Sequence, residues 1–300
     1  MEFFAILNQD NAERILRFNI DEEAKQRMTT IFEESHQKFL QYNEHVSFNA
    51  DETLTRTECF YIEQFETGLD FSFVRNNPEG IRELYLGKNA ELEYIVAVIA
   101  LTESNEILIQ NFNRRNIVDL SRTFWTNPFT PNNQFVAASS DGIALDDKLI
   151  SILSPTNTIY FRSFNVLRHI FEMDHYFKEA TQEEITAFIE RDSHFEVSGG
   201  FDLSQIDDTV VRTKVAIINK SQILEDYSVK DLIEAAGSIE YQLPVNEAKN
   251  KIAMPNHKKQ FKDLLQFLSS NIYKDAITQQ TRIAKSSRLY IPEPVTKIQN

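Results

Sequence analysis

The amino-acid sequence predicts an α+β fold: mixed, short-stranded sheets with several packed helices, in two subdomains. Three observations carry that expectation. Apolar residues recur at helical spacing in some segments and run or alternate over roughly four to eight residues in others. Hydrophobic residues make up 42% and charged residues 25% of the 300, an ordinary globular balance. Only 7 glycines and 8 prolines are present, which excludes collagen-like and low-complexity chains.

Asp21 to Tyr42 is expected to form a long amphipathic helix. Asp21, Glu22 and Glu23 suit its N-terminal turn, where negative charge meets the positive end of the helix dipole. Met28, Ile31, Phe32, Phe39 and Leu40 recur at helical spacing. Thr57–Ile62 and Asp70–Val74 are aromatic, β-prone segments, and Asn76-Asn77-Pro78-Glu79-Gly80 is a turn. Glu93–Leu101 and Glu106–Phe112, joined by Glu103-Ser104-Asn105, predict a β-hairpin. Arg114–Pro131 connects two domains, 1–125 and 126–300.

The second domain is expected to start with strands around Gln134–Ala138 and Leu149–Leu153, with Asp141-Gly142 as a turn between them. Thr158–Arg162 is a further strand and Asn165–Met173 a short helix. Thr181 and Glu184 stand three apart, a capping box that opens the next helix. Ser198-Gly199-Gly200 is a loop. Helices follow at Asp207–Asn219 and Ser228–Ala236, the latter ended by Gly237. A strand at Lys251–Met254 leads into a helix over His257–Ser270, with Asn256 as its N-cap.

A single cysteine, Cys59, excludes an intramolecular disulfide and a cysteine-based zinc cluster. The N-terminus lacks a basic region ahead of its apolar stretch, and the longest apolar run, Tyr94–Leu101, falls short of the roughly 20 residues a membrane span needs. A cytoplasmic location is expected, at the inner face of the membrane only through a partner.

The charge is uneven. Residues 1–247 carry 21 basic and 42 acidic side chains, a net of −21, whereas residues 248–300 carry 10 basic and 3 acidic, a net of +7; together they give the chain's −14. Polyanions are repelled by most of this sequence and accepted by its last fifth.

Catalytic signatures are absent: there is no G-x-G-x-x-G, phosphate loop or G-x-S-x-G elbow. No H-E-x-x-H occurs among the six histidines, and His169, Asp174 and His175 are better explained by helix capping than as metal ligands. A metal-dependent nuclease needs paired carboxylates and a strand lysine, and although Asp70, Glu91 and Glu93 supply acids, Tyr94–Leu101 lacks the lysine. No catalytic residue, cofactor or metal is assigned, and no small-molecule substrate is expected.

The binding signal lies at the basic end. Projected as a helix, Phe261, Leu264, Leu265, Leu268 and Ile272 share one face, with Lys258, Lys259 and Lys262 beside it. Lysines in a first turn oppose the helix dipole by about 0.3–1 kcal/mol each, an arrangement suited to a polyanion near that end. Lys274, Arg282, Lys285 and Arg288 follow, spaced among hydroxyl and amide side chains. These seven are the candidate DNA-phosphate contacts, which position a protein without reading sequence.

Tyr160-Phe161-Arg162-Ser163-Phe164, continuing through Leu167, Ile170 and Phe171, resembles the strand-then-helix of KwaB-like proteins. Phe177-Lys178-Glu179-Ala180-Thr181 continues that likeness, as do Phe261-Lys262 with Leu264-Leu265, Tyr273 and Ala284-Lys285-Ser286-Ser287-Arg288. The likeness spans roughly residues 130–290. It implies the soluble subunit of Kiwa, a bacterial anti-phage defence system: a DNA-binding, self-associating effector that joins a membrane protein, KwaA, and restrains phage DNA replication or expression. A homo-oligomer aligning several basic segments offsets the repulsion of the acidic remainder through avidity. A scaffold or sensor that docks a membrane partner is the alternative, and a metal-dependent nuclease a remote one.

Overall fold

The computed structural model describes residues 1–8, 14–84, 92–118, 126–127, 136–137, 142–197 and 208–284. The chain divides into two compact units, one of residues 1–48 and 54–175, the other of 49–53 and 176–300. The fold is mixed α and β, as expected. The division does not fall near residue 125, because strands well beyond that position complete the first unit's sheet.

That sheet has eight strands: β1 (Glu2–Leu7), β2 (Ile15–Arg17), β3 (Glu44–Ser47), β4 (Glu58–Ile62), β5 (Ile95–Leu101), β6 (Ile107–Asn111), and, after four short strands, β11 (Ser151–Leu153) and β12 (Ile159–Phe161). Their order is β2-β1-β5-β6-β11-β12-β4-β3, antiparallel throughout except for the β3–β4 pair. The short strands are β7 (Ile117–Val118) paired with β10 (Gly142–Ile143), and β8 (Thr126–Asn127) paired with β9 (Val136–Ala137). Gly142, expected in a turn, is thus in a strand; Asp141 lies outside the described residues.

Successive strand side chains point to opposite faces, and here both faces are covered. Phe3, Ala5 and Leu7 join Val98, Ala100 and Leu108 beneath helix α1 (Glu22–Phe39), which buries Met28, Phe32 and Phe39 against them. On the other face, Phe60 and Phe161 pack at 5.7 Å, while Phe65 and Phe71 meet Phe171 at 5.4 and 6.0 Å. Two covered faces explain why β5 is the unbroken apolar run Ile-Val-Ala-Val-Ile-Ala-Leu.

α1 starts as expected, with the Asp21 carboxylate accepting from the Ala24 N–H. Asp70–Val74, expected as a strand, instead opens helix α2 (Phe71–Asn76). The Asp70 carboxylate accepts from the Phe73 N–H at 3.0 Å, and Phe71 and Val74 are buried three residues apart. The local cap and shared burial outweigh the β propensity of the aromatics. A four-residue helix, α3 (Phe164–Leu167), is shorter than expected.

The second unit is mostly helical: α4 (Gln182–Ile189), α5 (Thr209–Ser221), α6 (Ile223–Asp226), α7 (Val229–Ser238) and α8 (Lys258–Leu268). The Thr181–Glu184 capping box is formed in both directions. Ser228 caps α7, and Gly237 lies inside that helix rather than beyond its end. A three-stranded sheet of β13 (Phe195–Glu196), β15 (Lys251–Ala253) and β14 (Val245–Asn246) joins them, as does a hairpin of β16 (Ile272–Lys274) and β17 (Thr281–Ile283). Ile185, Phe195, Val215, Ile252, Phe261 and Leu265 form its core. Lys214 of α5, 8% exposed, donates to both Asp51 carboxylate oxygens at 2.7 and 2.9 Å, so the 49–53 segment is pinned to this unit by a buried ion pair. Among the described residues no helix is long and apolar enough to cross a membrane. The loop expected at Ser198-Gly199-Gly200 lies outside them.

Candidate nucleic-acid interface

α8 follows from its sequence with two differences from expectation. Phe261, Leu264, Leu265, Phe267 and Leu268 are buried, whereas Ile272, buried too, belongs to β16 rather than the helix. The N-cap is His257, not Asn256, and His257 makes no side-chain capping hydrogen bond. The first turn holds no acidic residue. The starts of α1, α4, α5 and α7 are by contrast capped by the side chains of Asp21, Thr181, Asp208 and Ser228.

Lys258 and Lys262, one turn apart, converge on the same oxygen. Asp208 Oδ2 lies 2.8 Å from Lys258 Nζ and 2.6 Å from Lys262 Nζ. Its partner oxygen caps α5 by accepting from the Val211 N–H at 3.1 Å. Partial burial pushes the Asp208 carboxyl upward, but hydrogen bonds from Lys258, Lys262 and Val211 outweigh it and hold the group far below the usual carboxylate range. Lys259 is exposed and has no hydrogen-bond or ion-pair partner among the described residues.

Further along, Lys274 Nζ lies 2.7 Å from Glu240 and Arg282 Nε 3.8 Å from Asp275. Lys249 and Lys251 pair with Glu196 and Asp192 on the three-stranded sheet. Of the seven described basic residues from 248 onward, six therefore lie within 4 Å of a carboxylate. Among the described residues the basic excess of this segment is largely cancelled in space, because the acids that cancel it come from residues 192–240 and from Asp275. Lys285 and Arg288 lie outside the described residues.

No family model, curated protein or solved structure matches this chain.

What remains at the start of α8 is an excess: Lys258 and Lys262 share a single carboxylate, and the exposed Lys259 has no partner among the described residues. Asp208 was the residue the sequence did not single out. Its one sequence signal is its place as an acid just before Thr209-Val210-Val211, the pattern of an N-cap. Among the described residues no group of three or more His, Cys, Asp or Glu side chains is placed to hold a metal ion, and the Cys59 thiol is buried, which pushes its pKa up to about 11.

Proposed function

We propose that this chain is a nucleic-acid-contacting protein that engages phosphates through the start of α8. The observation that carries the reading is the pair Lys258 and Lys262 on one shared carboxylate with the exposed Lys259 next to Lys258 in sequence, at a helix end without a side-chain cap. Binding of this kind reads charge rather than base sequence and weakens steeply with salt. Lys274 and Arg282 extend the surface along the β16–β17 hairpin. The resemblance over residues 130–290 supports the wider assignment, an anti-phage effector of the KwaB-like kind that self-associates and acts with a KwaA-like membrane subunit to restrain phage DNA replication or expression.

DNA binding by the purified chain across a salt series, beside the Lys258→Glu/Lys259→Glu/Lys262→Glu variant, tests the reading. Affinity falling with salt and lost in the variant supports it. Affinity indifferent to salt, or retained by the variant, overturns it.

The neutralisation of the remaining basic side chains favours a second reading, a scaffold whose acidic surface docks a basic protein. The cytoplasmic loops of membrane proteins are rich in Lys and Arg and would be its targets. Recovery of a membrane protein by the triple-Glu variant as well as by the native chain would favour this reading.

A further inference from the structure

A cavity of about 340 Å³ lies in the first unit, away from α8. Its wall joins the C-terminal end of α1 to the segments flanking β11 and β12. We propose that it binds a small phosphorylated ligand with a flat organic body, of the nucleoside monophosphate class. The size fits, because pockets for small molecules occupy roughly 300–1,000 Å³.

The charge of the wall is the first reason. Lys38, Lys148 and Arg162 line it with one carboxylate, Asp146, in a chain whose net charge is −14. A local positive surface in a concave, low-dielectric setting focuses the field on an anion. Lys38 already pairs with Asp147 at 2.8 Å, outside the wall, and Lys148 feels that carboxylate only through space, so Lys148 and Arg162 are the main anchors. Lys148 is exposed and has no hydrogen-bond or ion-pair partner among the described residues.

Arg162 is the second reason. Its guanidinium sits 4.2 Å from the centre of the Tyr42 ring and donates once to the Thr55 carbonyl at 2.9 Å. Its Nε is shielded from water and has no hydrogen-bond partner among the described residues, so contact with a ligand falls to the terminal nitrogens. A planar guanidinium fixed against an aromatic ring is preorganised for phosphate oxygens through its terminal nitrogens.

The rest of the wall suits an organic body rather than a bare ion. Phe39, Leu149 and Val166 supply an apolar surface, and Asn111 and Ser163 supply polar atoms. A flat base packs on the first set and hydrogen-bonds to the second. The site does not rest on the reading of α8.

Isothermal titration calorimetry of the full chain with the four ribonucleoside 5′-monophosphates, their nucleosides and inorganic phosphate tests the proposal. At least one monophosphate is expected to bind more tightly than its nucleoside and than phosphate, by about tenfold or more. Lys148→Glu, at an exposed position, and Arg162→Gln are each expected to weaken it by a similar factor, while the α8 triple-Glu variant leaves it unchanged. No binding of any monophosphate at millimolar concentration overturns the proposal. So does a nucleoside binding as tightly as its monophosphate, or unchanged affinity in Lys148→Glu, the variant that decides if Arg162→Gln loses its fold.

Discussion

The two units hold themselves together by different means. In the first, eight strands drawn from residues 2 to 161 bury apolar side chains on both faces, so its order depends on pairings distant in sequence. In the second, helices start at local caps and their surfaces are tied by ion pairs such as Lys258 and Lys262 to Asp208. Six of its carboxylates, Glu183, Asp192, Glu196, Asp208, Asp231 and Asp275, are held below their ordinary pKa, against Asp70 and Asp147 among the described residues of the first. Both units have apolar cores, so both are sensitive to lost volume, and the second is in addition sensitive to lost charge.

The largest effect is expected from volume. Phe161→Ala removes a fully buried ring that packs on Phe60 and Phe48 and should cost about 4 kcal/mol, measured by urea unfolding. A loss below about 1 kcal/mol, the scale of a surface change, would break the distinction. In the second unit Asp51→Ala strands the Lys214 ammonium at a position 8% exposed and should cost about 3 kcal/mol. Adding Lys214→Met should recover most of it; a double variant as unstable as the single one would show that the pair is not the cause.

Asp208→Ala should cost about 1–2 kcal/mol, mostly through the lost cap of α5. Asp208→Asn keeps a capping side chain while releasing Lys258 and Lys262, so it should tighten DNA binding and steepen its salt dependence. Weaker binding by Asp208→Asn would count against the α8 interface.

The smallest effect is in pH. Carboxyls held down in the folded state contribute stability that is present above their unfolded pKa, about 4, and lost as pH falls through the carboxylate range. Melting followed from pH 7 to pH 3 should therefore lower the second unit's transition, and Asp208→Asn should make that decline shallower. An identical decline in the variant would remove Asp208 from the account.

Much of the helical structure was legible because its signals are local. Asp21, Thr181 and Ser228 announce helix starts in the sequence and perform that role in the fold. The hairpin of β5 and β6 was visible for the same reason, since its strands are neighbours in sequence. β1 was not, because Phe3-Phe4-Ala5-Ile6-Leu7 is a bare apolar run whose identity as a strand comes from register against residues 95–101. Asp70 shows the opposite failure: a cap three residues before Phe73 decided for helix where side-chain propensity indicated strand. The candidate interface was partly visible. The lysines of α8 could be placed on a face from their spacing, but the carboxylate that joins two of them lies some fifty residues away, and no one-dimensional charge sum contains that meeting.

The pinning of residue 51 beside Lys214 reaches into how the protein can be made and dissected. A fragment beginning at residue 176 has every helix of the second unit and none of the five residues that complete it. On a ribosome, the partner of Lys214 emerges early and must wait for more than a third of the chain before its counterpart exists. A recombinant second unit should therefore be built either with residues 49–53 fused back by a linker or with Lys214→Met, so that no ammonium is left to be buried alone.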